Sequence, residues 1–186
     1  MAEMAKFQTL VLMGVAGSGK STLASHCAGA LGWAYLEGDD FHSASAKQMM
    51  ASGQPLTAEL RQHWVDLLCQ ALQQLKNHGL PGVLSYSGLI QQQRAQIRAA
   101  AAAPLFVYLH GPAEVLSQRL SQRPGHFMPV SMLQSQLDTM QAPALEPDVL
   151  WLDLRLPLVT QLSQIGRALG QADAFNDCAT KIPEML

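Results

Sequence analysis

Apolar and polar positions along the chain follow two alternating rhythms. Short, almost wholly apolar runs recur at Thr9–Met13, Trp33–Leu36, Gly82–Tyr86, Leu105–Leu109 and Val149–Leu152. Runs of this length bounded by turn formers read as buried strands. Between them, apolar residues three and four apart predict helices over Ser18–Leu31, Ala44–Ala51, Gln91–Ala103, Pro112–Gln122, Ser131–Met140 and Leu158–Leu169. One more helix is predicted from the N-cap Thr57 to the stop signal Gly79, with Trp64, Leu68 and Leu72 on a face that reads as core. Strands alternating with helices imply an α/β fold: a five-stranded parallel sheet with helices on both faces. The expected organisation is a single domain over 1–170, followed by a tail, 171–186, without clear pattern.

Composition narrows the classes. At 186 residues, 48% apolar and 14% charged, the chain suits one domain with a real core. A net charge of −2 and no basic stripe argue against nucleic acid as a partner. No uninterrupted apolar run approaches the roughly 18 residues of a membrane span, and Met1–Gln8 is too short and polar for a secretory signal. The cysteines Cys27, Cys69 and Cys178 are odd in number and widely spaced. They argue against a disulfide framework or a zinc site and fit a reduced, cytoplasmic setting.

The chemistry begins where the first strand ends. Gly14-Val15-Ala16-Gly17-Ser18-Gly19-Lys20-Ser21 fills every fixed position of the pattern GxxxxGK[ST], after a predicted strand and at the start of a predicted helix. Glycines let backbone N–H groups converge on a phosphate chain, and the helix N-terminus adds partial positive charge there. Lys20 can reach the β- and γ-phosphates of ATP, and the Ser21 hydroxyl can ligate Mg2+. The expected nucleotide contacts therefore run from Gly14 through Thr22. A glycine-rich turn with no ligand is the competing reading.

The second predicted strand ends in Glu37-Gly38-Asp39-Asp40. In a parallel sheet, ligands bind beyond the carboxyl ends of the strands, so Asp39 is placed to orient and deprotonate an attacking hydroxyl. Glu37 can act on magnesium-bound water, and His42 follows directly. These acids can also simply solvate a turn or cap a helix. Late in the chain, Arg119 and Arg123 share a helix face and lead into Gly125-His126-Phe127-Met128-Pro129. Two arginines entering such a segment suit a lid, approximately 119–140, that closes on ATP and neutralises the transferring phosphoryl group.

Together these residues resemble the small P-loop gluconate kinases (gluconokinases), relatives of shikimate and adenylate kinases. The resemblance is carried by Val11–Ser21, Leu36–His42, Met50–Leu56 with Arg61 and Trp64, Arg119–Arg123, Gly125–Pro129, Ser135-Gln136, and Asp153 with Pro157-Leu158. It implies an adenylate-kinase-like core with a helical lid, transfer from ATP with Mg2+ to the 6-hydroxyl of D-gluconate, and a homodimer in many members. It also implies roles. Lys20, Asp39 and Arg123 would be catalytic, Ser21 and Glu37 would serve the metal, and Arg119 and Arg123 would belong to the ATP lid. Asp39, His42 and Arg61 would line the acceptor side. The sequence departs from the family pattern at Leu60, Ile90, Gln93, Ala95, Pro124 and Gln141. Ile90 stands where the family carries a lysine, and Arg61, Arg94 or His126 could supply the missing positive charge. The departures keep two alternatives open: a kinase for another sugar acid or polyol, and a non-catalytic ATP-binding sensor.

Overall fold

In the computed structural model, which describes residues 7–122 and 131–175, the apolar runs become five strands: β1 (Thr9–Met13), β2 (Ala34–Glu37), β3 (Gly82–Ser85), β4 (Pro104–His110) and β5 (Val149–Asp153). The helices are α1 (Lys20–Leu31), α2 (Ala44–Ala51), α3 (Ala58–Asn77), α4 (Gln91–Ala100), α5 (Ala113–Ser121), α6 (Ser131–Thr139) and α7 (Leu158–Leu169). All pairings are parallel, in the order β2-β3-β1-β4-β5.

Every residue of the central strand β1 is buried. Strand geometry sends alternate side chains to opposite faces. Leu10 and Leu12 accordingly join the cluster formed with Cys27 of α1 and Ile165 of α7, while Val11 and Met13 join Trp64 and Leu68 of α3 and Ile97 of α4. Each fully buried leucine or isoleucine contributes about 1.5–3 kcal/mol relative to exposure, so the two clusters fix the sheet between its helical layers. A third cluster, with Val15, Leu89, Leu116, Leu120 and Leu133, packs α5 and α6 beneath the loop after β1.

Element ends shift by one or two residues in several places, and two larger differences from the sequence reading have a clear cause. The helix expected over Gln91–Ala103 stops at Ala100, and Ala101 is already extended. Ala103 precedes Pro104, whose ring disfavours the α conformation in the residue before it, and Ala103 takes φ 40° instead. The expected tail is not loose from its start: residues 172–175 form a helical turn, and Phe175, 4% exposed, packs with Leu162, Ile165 and Leu169. The packed domain therefore extends past 170.

The neighbours of β1 are β3 on one side and β4 on the other, so the chain runs outward in opposite directions from the sheet centre. Such a switch in strand order opens a crevice at the carboxyl ends of the strands.

Candidate active site at the carboxyl ends of the strands

Gly14 turns the chain out of β1 into the phosphate loop, and its N–H donates to the Ser87 carbonyl at 3.1 Å. The loop is pressed onto α5. Gly17 has φ 79°, and a Cβ there would stand 2.9 Å from Leu120 Cγ, so only glycine fits. The first turn of α1 follows at once and carries no acidic residue. Its amides and the positive end of the helix dipole face the same opening. Lys20 Nζ donates to the Val15 carbonyl at 3.0 Å, which folds the ammonium across the loop.

β2 delivers the acids. Glu37 caps a 3-10 turn over Gly38–Phe41, its carboxylate accepting from the Asp39 N–H and from the Tyr35 hydroxyl. Burial and the adjoining Glu37 carboxylate raise the Tyr35 phenol above its ordinary range, so it remains a donor. Glu37 is engaged with the turn itself, whereas Asp39 lines the cleft.

An open cleft lies between the phosphate loop and these acids. Lys20, Ser21 and Thr22 line one side, and Asp39, His42 and Arg61 the other. Of the remaining loop residues, Ala16, Gly17 and Gly19 line it, while Val15 and Ser18 turn into the core. Ser21 and Asp39 offer oxygen donors on one cleft, the donor type that magnesium takes while keeping several waters. Among the described residues no group of three or more His, Cys, Asp and Glu forms a denser metal site.

His42 stacks on Trp64, with ring centroids 4.3 Å apart. Burial drives its pKa down to about 4, against the opposite pull of Asp39, so the imidazole is neutral at pH 7. The Arg61 guanidinium makes no hydrogen bond or ion pair with any described residue. Burial lowers its guanidinium pKa from the ordinary value, yet an arginine remains charged. The cleft thus carries a half-buried cation that the described protein does not neutralise.

Arg119 Nη2 donates to the Leu154 carbonyl at 2.8 Å, and its Nη1 lies 3.9 Å from where a Gly19 Cβ would stand. Arg123 and His126 lie outside the described residues. Arg94 is a correction. Its guanidinium is buried, donates to the Gly88 carbonyl at 2.7 Å and pairs with Glu146. Arg98 shares Glu146 and also binds Asp148, so the network ties α4 to the segment before β5 and none of it faces the cleft. Ile90, in the lysine position, packs against the third cluster.

A family model described as an AAA domain matches residues 10–147. The thermoresistant gluconokinase of Escherichia coli is 39% identical over 149 residues, covering 80% of this chain and 85% of that protein. The chain belongs to the gluconokinase family. Solved structures agree: a gluconokinase from Sinorhizobium meliloti superposes with a TM-score of 0.78 at 34% identity, over 94% of this chain and 97% of that one. A sugar kinase from a Janibacter species gives 0.84 at 37% identity, over 91% and 98%. As a gluconokinase-family phosphotransferase, the protein builds its cleft partly from residues that periodicity could not assign. Gln136 Oε1 accepts from the Ala16 N–H at 2.6 Å, and Ser135 and Thr139 of the same helix line the opening. The Ser135-Gln136 pair belongs to the family pattern, which marks the segment without giving it a role. Trp64, which reads as core, is both core and cleft wall.

Proposed function

We propose that the protein phosphorylates D-gluconate at its 6-hydroxyl, using ATP, to give 6-phosphogluconate. The observation that carries this reading is the Arg61 guanidinium, without a hydrogen-bond or ion-pair partner among the described residues, on the cleft that also holds Asp39 and the phosphate loop. A cation facing a carboxylate-bearing acceptor is held by charge-assisted hydrogen bonds, and a carboxylate near the phosphoryl group is what an acceptor hydroxyl needs.

Roles follow from position. The loop amides and Lys20 hold the β- and γ-phosphates, and Arg119 flanks the nucleotide beside Gly19. Mg2+ bound with ATP would neutralise phosphate charge, and the Ser21 hydroxyl is the group that would hold it, which leaves the Asp39 carboxylate to act as base. Arg61 receives the sugar-acid carboxylate, and neutral His42 borders the polyol. The acceptor oxygen attacks the γ-phosphorus, the bond from that phosphorus to the bridging oxygen breaks, and ADP leaves. Asp39 accepts the hydroxyl proton and returns it to solvent. The free thiols Cys27 and Cys69 suit a reducing, cytoplasmic setting.

The test is ATP-dependent phosphorylation of D-gluconate by the purified protein, with Lys20→Ala as control. Turnover that falls about a thousandfold in the control is expected. ATP binding without transfer to gluconate would overturn the assignment.

A further inference from the structure

Trp64 stands between the two halves of the acceptor side. It follows Arg61 by three positions on α3, so the indole and the guanidinium share a helix face. Its Nε1–H donates to the Gly38 carbonyl at 2.7 Å, a buried bond between residues 26 positions apart. Gly38 directly precedes Asp39 and is itself pinned: a Cβ on it would lie 2.3 Å from the Ser85 carbonyl oxygen of β3. The indole also carries the stacked His42 ring, and it is 5% exposed while still lining the cleft. One buried hydrogen bond therefore ties the helix that presents the cation to the turn that presents the carboxylate. Buried hydrogen bonds hold narrow geometry, because leaving either partner unmade is costly.

We infer that Trp64 determines acceptor length, holding Arg61 and Asp39 at the span of one linear polyhydroxy acid whose carboxylate and reacting hydroxyl stand at opposite ends. The inference rests on the sugar-acid reading above. An acid seated on Arg61 but one carbon short leaves its terminal hydroxyl away from Asp39, and one carbon long crowds it. A misplacement of about 1 Å in reacting geometry is worth about a hundredfold in rate. Releasing the Gly38 carbonyl lets the 3-10 turn and α3 shift against each other, which admits the wrong lengths.

The experiment measures kcat/KM for aldonic acids of five, six and seven carbons. It compares the full-length wild type, Trp64→Phe, and protein in which Trp64 is replaced by 3-benzothienylalanine, which keeps the bicyclic shape and the stack but has no N–H. We expect the wild type to prefer one length by at least about tenfold and both altered proteins to compress that preference to within about threefold, with KM for ATP unchanged. A wild-type preference retained in the benzothienyl protein overturns the inference, and that protein decides the matter if Trp64→Phe fails to fold. Transfer with no length preference in the wild type overturns the inference alone. No transfer to any acid overturns the sugar-acid reading and takes the inference with it.

Discussion

The Ala16 N–H donates to Gln136 Oε1 at 2.6 Å, joining the phosphate loop to α6 across 120 positions of sequence. Helix α6 is thus fastened to the nucleotide side of the cleft. Gln136→Glu keeps an acceptor for the Ala16 amide but sets a negative charge beside the triphosphate. A like charge near a bound anion costs on the order of 1 kcal/mol or more. Steady-state kinetics should show KM for ATP rising roughly tenfold, with a smaller change for the acceptor. An unchanged KM for ATP would place Gln136 away from the phosphates.

In the proposed function Arg61 supplies the cation of the acceptor side. Arg61→Gln should raise the acceptor KM by about tenfold to a hundredfold, the worth of one charge-assisted contact, and leave KM for ATP unchanged. Arg61→Lys should fall between, because a lysine keeps the charge but loses the bidentate fork. Equal effects on both substrates would place Arg61 outside the acceptor subsite.

Arg94 is held by the fold rather than by the cleft. Breaking its buried pair with Glu146 by Arg94→Met or Glu146→Gln should cost about 3–5 kcal/mol and lower Tm by roughly 10 °C. Kinetic constants well below Tm should stay close to wild type, since the pair does not face the cleft. A raised acceptor KM with unchanged Tm would return Arg94 to the substrate site.

How far the sequence could go is visible in these two arginines. Arg61 and Arg94 both sit on predicted helices near the acceptor segments, and composition does not distinguish them. The difference is Glu146, 52 residues beyond Arg94, which the fold brings within hydrogen-bond distance. Elements and the phosphate loop were legible because they are local: Thr57 caps α3 through its hydroxyl, accepting from the Leu60 N–H at 3.2 Å, and the glycines declare the turn. The Trp64–Gly38 bond, the Ala16–Gln136 bond and the docking of Phe175 are products of tertiary closeness, and periodicity carries no trace of a partner that far away. Trp64 was legible as buried but not as cleft wall, since an apolar face at helical spacing looks alike in both cases.

His42 predicts a stability profile. Its folded pKa of about 4 lies below the ordinary histidine value, so the fold favours the neutral ring. That contribution is complete above about pH 6.5 and is lost as pH falls toward 4. Denaturant unfolding of wild type and His42→Phe, which preserves the ring on Trp64, should show the wild type losing on the order of 2 kcal/mol more than the variant between pH 7 and pH 4. Parallel profiles would show that the imidazole titrates normally.

The central place of β1 also governs how the protein is made. Thr9 pairs with Gly82 on one side and with Pro104 on the other. The strand that launches the phosphate loop is therefore translated well before either neighbour. At about 5–20 residues per second, its apolar residues wait about 5–20 s for the second edge to be synthesised. Through that interval the nascent chain has the whole nucleotide motif written but no complete sheet to hold it. The strand that launches the phosphate loop is thus the segment a growing polypeptide keeps exposed longest before its second neighbour exists, a consequence of its central place in the strand order.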